Sequence, residues 1–306
     1  MIDLKITLPE SFLEEEVRDG YRVSKKMKEV WAVELDLLNE FIRVCSKYNI
    51  RWWADAGTIL GAARHKGMIP WDDDIDVMLM RDEYEHLCSV ASKEFVHPYF
   101  FQTNDTDPGS MRGHAQLRNS NTTGILLVEK ELNKHINQGI FIDIFPIDNV
   151  PDDSKLQSEQ VKNIAYFKEL ASTYWQWKTF KPSKFITLIK YRLKYIMTTL
   201  GVIFREKNYP HAYENYEKET SKYHDIRSKY VAKVVLIPFK SRRLWKREWF
   251  NETIYLPFEW MYLPVPGGYK ELLDTFYGDW HKFVIGTSTH GGVLFDTNKP
   301  YTEYIK

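Results

Sequence analysis

The hydrophobic residues of this chain follow two different spacings. From Val23 to Tyr48 they recur at three- and four-residue steps, which predicts a long amphipathic helix. A second helix is predicted from Arg81 to about Phe95. Short apolar runs bounded by turn residues predict buried strands instead, at Arg51–Ala56, Ile75–Met80, Ala115–Arg118, Gly124–Val128 and Gly139–Phe145.

The pattern changes after Pro151, where long helical stretches rich in Lys, Tyr and Trp follow. Near the end, Pro264–Tyr269 predicts a rigid turn into a short helix, Lys270–Tyr277. We therefore expect an α+β fold, with a mixed sheet flanked by helices in residues 1–150 and a largely helical region in residues 151–306. The segment from the Pro-Val-Pro turn to Asp279 is expected to pack back on the first region.

Composition narrows the functional classes. The 306 residues carry no net charge, so no global field favours nucleic acid, and we expect no nucleic-acid partner. The two cysteines fall inside helical patterns and are interpreted as reduced core thiols. Neither a signal peptide nor an apolar run of membrane-spanning length is evident, so we expect a cytoplasmic protein or one on the membrane face toward the cytoplasm.

A cluster of carboxylates is the strongest chemical signal. Asp72, Asp74 and Asp76 alternate with Asp73 and Ile75 ahead of an apolar run. If this stretch is a strand, the three alternating carboxylates share one face, where they repel one another unless a cation is bound. A solvated acidic loop is the alternative, but such a loop needs no apolar neighbours. Asp74 and Asp76 are thus candidate metal ligands, with Asp72 in an outer position and Asp73 facing away.

Two further features belong to the same hypothesis. Asp143 lies alone in an apolar strand, where a carboxylate is costly unless a cation or hydrogen bonds compensate. We interpret it as a third carboxylate facing Asp74 and Asp76, against the alternative of a structural, salt-bridged aspartate. The Gly57-Thr58 turn opens a helix upstream, and its amides are candidate ligands for phosphate.

In these motifs the chain resembles the LicD-family phosphotransferases, a branch of the nucleotidyltransferase-fold superfamily that also includes fukutin-related proteins. The resemblance is carried, in family order, by segments spread over most of the chain: Asp55–Gly67, Ile69–Asp76, Arg118-Asn119-Ser120, Gly139–Pro146, Leu263–Pro266 and Tyr277-Gly278-Asp279. It implies a nucleotidyltransferase-like catalytic core in residues 1–150. Residues 151–228 carry no family motif.

The resemblance implies transfer of a substituted phosphate, such as phosphocholine, from a CDP-linked donor to a hydroxyl of a glycan or lipid-linked glycan precursor, with release of CMP. Mg²⁺, or alternatively Mn²⁺, would be held by Asp74 and Asp76. Asp143 would bind a second ion or accept the proton of the acceptor hydroxyl. Arg118 is the candidate for charge stabilisation, because a guanidinium matches phosphate oxygens.

The remaining candidates are expected to bind substrate. Gly57 and Thr58 would contact the donor phosphates, Arg64 and Lys66 would add positive charge, and Ser120 belongs to the Arg118 motif. Two other enzyme classes use a similar pair of aspartates: nucleotide-sugar glycosyltransferases and true nucleotidyltransferases. A non-catalytic binding module with the same fold is a third alternative.

A basic segment in the second half suggests a membrane contact. Lys181–Lys207 contains seven basic residues and one acidic residue among many apolar ones. A basic amphipathic helix can lie on an anionic membrane surface. It can equally be a core helix with a solvated basic rim, and the sequence leaves both interpretations open.

Overall fold

A mixed β-sheet built around one long strand organises the chain. The structure, a computed structural model, describes residues 4–130, 134–179, 184–203, 211–236, 244–286 and 292–305. Within these ranges the strands are β1 (Glu16–Arg18), β2 (Tyr21–Val23), β3 (Trp53–Ala54), β4 (Asp76–Met80), β5 (Tyr99–Gln102), β6 (Ala115–Asn119), β7 (Thr123–Leu126), β8 (Ile140–Val150), β9 (Tyr230–Ala232), β10 (Trp245–Lys246), β11 (Thr253–Phe258), β12 (Met261–Pro266) and β13 (Val293–Asp296).

Helices cover the sheet and make up much of the second half. The α-helices are α1 (Lys25–Lys47), α2 (Ala56–Leu60), α3 (Arg81–Glu94), α4 (Leu127–Lys130), α5 (Ser154–Thr179), α6 (Phe185–Ile203), α7 (Ala212–Thr220) and α8 (Tyr269–Tyr277). A π-helical turn, Gly61–His65, directly continues α2, and short 3₁₀ helices lie at Val234–Leu236, Arg247–Phe250 and Tyr301–Glu303. The mixed sheet flanked by helices confirms the predicted α+β class.

Strand β8 is the centre of the main sheet, which contains seven strands among the described residues. Its first half pairs antiparallel with β6, its middle pairs parallel with β4, and its last three residues pair antiparallel with β9. Outer strands β5, β3 and β10 extend the sheet from β6, β4 and β9. The pairs β1–β2, β7–β13 and β11–β12 lie outside it.

The predicted strand Gly139–Phe145 is longer than expected and runs through Pro146. The N–H of Asp143 donates to the carbonyl of Ile75 at 2.9 Å, on the β4 side. Because N–H directions alternate along a strand, position 146 faces the other edge. There β6 stops opposite Ile144 and β9 begins opposite Asp148. Pro146 therefore lies between the ends of two partner strands, where no carbonyl of either strand is paired with it. Its lack of an N–H removes no hydrogen bond between strands.

Helix α1 confirms the prediction from the three- and four-residue spacing. The hydroxyl of Ser24 caps its first turn by accepting the N–H of Met27 at 3.2 Å. The helix buries Trp31 and Phe41 in the main core, together with Trp53 of β3. This helix therefore forms the layer behind the central strands.

Residues beyond 150 contribute to the same core. Trp245, Leu263 and Leu272 are buried in one continuous cluster with the first half of the chain. The predicted turn at Pro264–Tyr269 is wrong in its first part, because Pro264 and Pro266 belong to β12, paired with β11. A two-stranded ribbon has a free outer edge, where a proline without N–H is tolerated.

A smaller hydrophobic cluster lies among the later helices. It joins Ile164 and Leu170 of α5 to Tyr216 of α7 and to Val150 at the end of β8. Of the helices in the described ranges, none combines the length and the apolar character needed to cross a membrane.

Candidate active site

Asp76 and Asp143 lie beside each other on the two central parallel strands. Asp76 opens β4 and is the Cα partner of Asp143 in β8. Residues paired in this way point to the same face of a sheet, so both carboxylates face the same side. The side chain of Asp143 is 17% exposed. The structure thus brings together these two predicted site residues from positions 67 apart in the chain.

Asp72, Asp73 and Asp74 precede β4 instead of belonging to it. The predicted strand Ile75–Met80 begins one residue later, at Asp76, and Asp72 lies in a turn in which its N–H donates to the Ile69 carbonyl at 2.9 Å. The expected alternation of these carboxylates on one strand face is therefore wrong.

The turn instead gathers the three consecutive aspartates. One oxygen from each of Asp72, Asp73 and Asp74 lies within 4.8 Å of the others, a spacing that a single divalent cation can bridge. The expectation that Asp73 faces away is also wrong, since it lines the same cavity as its neighbours. A tight turn, unlike a strand, lets adjacent side chains converge.

Gly57 and Thr58 support these carboxylates. A Cβ atom on Gly57 would lie 2.6 Å from Asp72 Oδ2, so a larger residue here would displace the Asp72 carboxylate from its position. The hydroxyl of Thr58 accepts the N–H of Asp76 at 2.8 Å. The Thr58 N–H, expected to face a phosphate, donates instead to the Asp55 carbonyl at 2.9 Å inside the helix cap. Gly57 lines the cavity, whereas the Thr58 side chain holds the start of β4.

Asp55 joins this region to the second half of the chain. Its Oδ1 accepts the N–H of Ala56 at 2.8 Å, and its Oδ2 forms a buried ion pair with Lys233, which follows β9. The ammonium of Lys233 also lies 4.4 Å from the ring centroid of Phe145. Both charged side chains are more than nine-tenths buried, so each depends on the other for compensation.

Arg118 lies behind the site. Its guanidinium is 1% exposed and donates to Gln102 Oε1 at 2.6 Å, to the Gly139 carbonyl at 2.6 Å and to Gln116 Oε1. Burial, followed by the neighbouring Arg112, lowers the pKa of Arg118 to about 9. Arg118 is not among the residues that line the cavity. The structure therefore connects it to the protein interior, not to a phosphate position.

Two polar side chains hold the carboxylate of Asp143. Gln116 Nε2 donates to Asp143 Oδ1 at 2.6 Å, and His114 Nε2 lies 3.1 Å from the same oxygen. The His114 ring packs on Phe145 with centroids 4.2 Å apart. Burial raises the pKa of Asp143, but His114 and Gln116 outweigh it and hold that pKa below its ordinary value. Asp143 is thereby kept ionised.

Glu34 approaches the acidic turn from α1. It is 1% exposed, and its Oε2 has no hydrogen-bond partner among the described residues. Burial, followed by the charges of Asp74 and Asp73, raises the pKa of Glu34 well above its usual value. A cation held near the turn would relieve this repulsion.

A cavity of about 530 Å³ opens over the acidic turn. Asp72, Asp73, Asp74 and Asp76 form one wall together with Gly57. The end of α8 and the loop after it also line the cavity, with aromatic, acidic and basic side chains: Phe276, Tyr277, Asp279, Trp280 and Lys282. The tyrosine and aspartate of the predicted Tyr277-Gly278-Asp279 motif thus line the same cavity as the acidic turn.

The predicted basic ligands have different positions. Arg64 lines the cavity, and its Nη1 donates to the carbonyls of Trp280 and Lys282 at 2.9 and 2.7 Å. Lys66 is exposed and ends the π-helical turn with a left-handed backbone. Ser120 accepts a hydrogen bond from Asn137 at 2.8 Å, just beyond the end of β6. Only Arg64 of these three lines the cavity.

Burial, followed by repulsion between neighbouring carboxylates, raises pKa values in the acidic wall. Burial, followed by the charges of Asp74 and Asp143, raises the pKa of Asp76 well above its usual value. Burial, followed by Asp74 and Asp73, raises the pKa of Asp72 to about 8. Tyr277, which lines the same cavity, also has a raised pKa, caused first by burial and then by the charge of Asp76. The charge of Lys233 offsets part of the increase at Asp76, and Arg64 and Lys282 are the basic residues that line the described cavity.

The sequence interpretation missed several residues of the site. Lys233 is a lone lysine in the apolar run Val231–Val235, the same signal that identified Asp143. Glu34 occupies a buried position between Val33 and Leu37 on the apolar face of α1. His114 and Gln116 carry no comparable signal, because their role depends on pairing across the sheet.

Comparisons with known proteins point to the family already indicated by the sequence motifs. Residues 49–195 match the family described as "LicD/FKTN/FKRP, nucleotidyltransferase domain". The lipopolysaccharide cholinephosphotransferase LicD of Haemophilus influenzae is 28% identical over 260 residues, which cover 84% of this chain and 91% of that protein. An uncharacterised protein of Rickettsia prowazekii is 33% identical over 131 residues, or 42% of this chain and 45% of that protein.

The matched segment contains the acidic turn, both central strands and the Gly57 turn, whereas Lys233 and Tyr277 lie beyond it. The resemblance seen in the sequence motifs is confirmed: residues 49–195 match the nucleotidyltransferase domain of the LicD family, and most of the chain is similar to a LicD cholinephosphotransferase.

Proposed function

We propose that this protein transfers phosphocholine, or a closely related substituted phosphate, from a CDP-linked donor to a hydroxyl of a cell-surface glycan precursor, releasing CMP. The observation that carries the proposal is the acidic wall of the cavity, where Asp72, Asp73, Asp74 and Asp76 converge beside Asp143. The similarity to a lipopolysaccharide cholinephosphotransferase over most of both chains supports the choice of donor group and acceptor class.

The donor set fits a divalent cation. A diphosphate cannot approach four converging carboxylates without positive charge between them, and Arg64 and Lys282 are the basic residues on the described cavity wall. The raised pKa values of Asp72 and Asp76, caused by burial and by neighbouring carboxylates, support the proposal because a bound cation would offset both effects. Oxygen-only ligands favour Mg²⁺, with Mn²⁺ as the alternative.

Two overlapping ligand sets are available, and both include Asp74. The first is the predicted set of Asp74, Asp76 and Asp143, which rests on the pairing of Asp76 with Asp143 across the sheet. The second is the turn of Asp72, Asp73 and Asp74, the set among the described residues whose three oxygens lie within 4.8 Å of one another. We propose the first, because hydrogen bonds fix both of its strand residues: Thr58 on the backbone of Asp76 and Gln116 on the side chain of Asp143. When bound, Mg²⁺ neutralises charge on the donor phosphate oxygens and lowers the barrier to displacement of CMP.

The protein residues orient the reaction around that site. Gly57 lines the cavity and lets the Asp72 carboxylate approach its backbone closely. Asp143, whose pKa is held low, suits a ligand role better than that of a general base, which works best with a pKa near the working pH. Arg64 and Lys282 provide positive charge on the wall where the donor phosphates enter.

The aromatic side chains of the cavity support a quaternary ammonium head group. Trp71, Tyr277 and Trp280 line the cavity, and the faces of such rings attract choline-type cations. The cavity also carries Asp279 and Lys282, polar side chains of the kind that bind hydroxyls, so the donor screen includes CDP-ribitol.

The experiment is a donor screen with product analysis. Purified protein is incubated with Mg²⁺, a glycan acceptor and CDP-choline, CDP-ethanolamine or CDP-ribitol, and the nucleotide product is identified. We expect CMP, formed fastest from CDP-choline and abolished by EDTA. Nucleoside diphosphate from a nucleotide sugar would indicate a glycosyltransferase, and pyrophosphate from CTP would indicate a nucleotidyltransferase. Either result, with no CMP from CDP-linked donors, contradicts the proposal.

A further inference from the structure

Helix α6 exposes large apolar side chains to solvent. Phe185, Ile186, Leu193, Ile196, Met197 and Leu200 are between 49% and 75% exposed. Burying such side chains is the main favourable term in folding, so a helix that leaves six of them in water has an uncovered surface. Lys181 and Arg205–Lys207, at the two ends of the predicted basic segment, lie outside the described residues.

The exposed side chains form one continuous stripe. At about 100° per residue, the six positions fall within an arc of about 120° on the helix. The opposite side faces the protein: Leu188, Tyr191 and Tyr195 are partly buried, and Tyr195 packs against the cluster that contains Ile164 and Leu170 of α5. The helix therefore already packs one side against the protein. The apolar stripe lies on the other side, which faces outward.

Basic residues border the stripe on both sides. On the same helical projection Lys190 and Lys194 lie along one edge and Arg192 lies along the other, and all three are exposed. Lys194 pairs with Glu169 of α5 at 3.3 Å, an exposed pair that holds little energy. Phe185–Ile203 contains no acidic residue. An apolar stripe with cationic edges is complementary to a surface that has an anionic outer layer over an apolar interior.

We propose that α6 lies flat on an anionic lipid bilayer. The stripe enters the boundary between headgroups and acyl chains, while Lys190, Arg192 and Lys194 contact the lipid phosphates. A second copy of this chain is a poorer occupant, because two such helices would bring their cationic edges together. The three basic residues also make α6 unsuitable for crossing a membrane, and none of the described helices is long and apolar enough to do so.

The test uses the full-length chain and vesicle flotation at low salt. Vesicles of phosphatidylcholine alone are compared with vesicles that also contain phosphatidylglycerol. We expect at least about tenfold stronger partitioning onto the anionic vesicles, lost at high salt. Two variants should each weaken that partitioning at least about tenfold: Phe185→Ser with Met197→Ser, and Lys190→Gln with Arg192→Gln and Lys194→Gln.

Matched controls change equally exposed residues elsewhere. Val17→Ser with Tyr255→Ser removes two apolar side chains that are 73% and 64% exposed, and Lys26→Gln with Lys93→Gln and Lys218→Gln removes three exposed charges. These variants should bind as the wild type does, and thermal melts verify that all variants are folded.

Equal binding to both vesicle types, no binding, or equal losses in the control variants would overturn the proposal. So would a dimer in sedimentation experiments that the Phe185 and Met197 substitutions dissociate. The assay measures no transfer, so its outcome is independent of the proposed function.

Discussion

The guanidinium of Arg118 is connected to the carboxylate of Asp143 through one side chain, Gln116. Arg118 donates to Gln116 Oε1, and Gln116 Nε2 donates to Asp143 Oδ1 at 2.6 Å. This fixes the amide orientation of Gln116, since its oxygen faces the cation and its nitrogen faces the anion. We infer that Arg118 is a positioning residue that acts on Asp143 through Gln116.

The substitution Arg118→Lys tests this role. A lysine cannot make all three hydrogen bonds of the fork, so the free energy of unfolding should fall by about 2–3 kcal/mol. With Asp143 less well held, kcat should fall, while KM for the donor stays within about twofold because Arg118 does not line the cavity. Denaturant unfolding and donor-concentration series measure the two effects.

Arg64→Lys is the matched comparison, because Arg64 does line the cavity and its substitution should raise the donor KM. If Arg118→Lys raised the donor KM instead and left stability unchanged, Arg118 would have to contact the phosphate.

The two proposed ligand sets differ in their response to single substitutions. Asp74→Asn and Asp76→Asn should each reduce the transfer rate at limiting Mg²⁺ by at least about 100-fold, because several kcal/mol of charge stabilisation are lost. Asp73→Asn should cost less than about tenfold. Rates are measured across a Mg²⁺ series, and calorimetry of Mg²⁺ binding gives an independent readout. Equal damage from Asp73→Asn and Asp76→Asn would move the cation into the Asp72–Asp74 turn.

Stability of the metal-free protein should depend on pH through Asp72. Its pKa is about 8 in the folded chain and near 4 when unfolded, so the folded state holds the extra proton between these values. This contribution to stability is complete below pH 4 and is lost as the pH rises through 8, with a slope of up to about 1.4 kcal/mol per pH unit.

The Asp72 contribution is measured by difference. In EDTA, Asp72→Asn should lose less stability than the wild type between pH 5 and pH 8, and saturating Mg²⁺ should narrow the difference. Urea unfolding at each pH provides the values. An identical pH dependence in both proteins would show that Asp72 titrates normally.

The buried pair of Asp55 and Lys233 should respond as a unit. Lys233→Met leaves a carboxylate buried without its cation and should destabilise the fold by about 3–5 kcal/mol. The double variant with Asp55→Asn should recover most of this loss, because asparagine can still accept the N–H of Ala56. A thermodynamic cycle of the four proteins gives the coupling energy, and additive effects would argue against the pair.

The sequence by itself determined the main helices and central strands and identified the candidate acidic residues. The spacing of apolar residues predicts α1, α3 and the approximate limits of the central strands, since it reflects which face each element buries. A carboxylate inside an apolar strand identifies Asp143, because burying it needs compensation. The Gly57 turn and the acidic run carry the family resemblance. All of these signals are local in the chain.

Tertiary structure alone decided which side chains meet. Lys233 contacts Asp55 from 178 residues away, and His114 and Gln116 reach Asp143 only because β6 pairs with β8 in one register. Register also determined that Arg118 faces inward, where the residue type alone had suggested a phosphate ligand. Sequence periodicity specifies which face of an element is buried but not which side chains that face will meet. The free energy of burying a charge depends on those side chains.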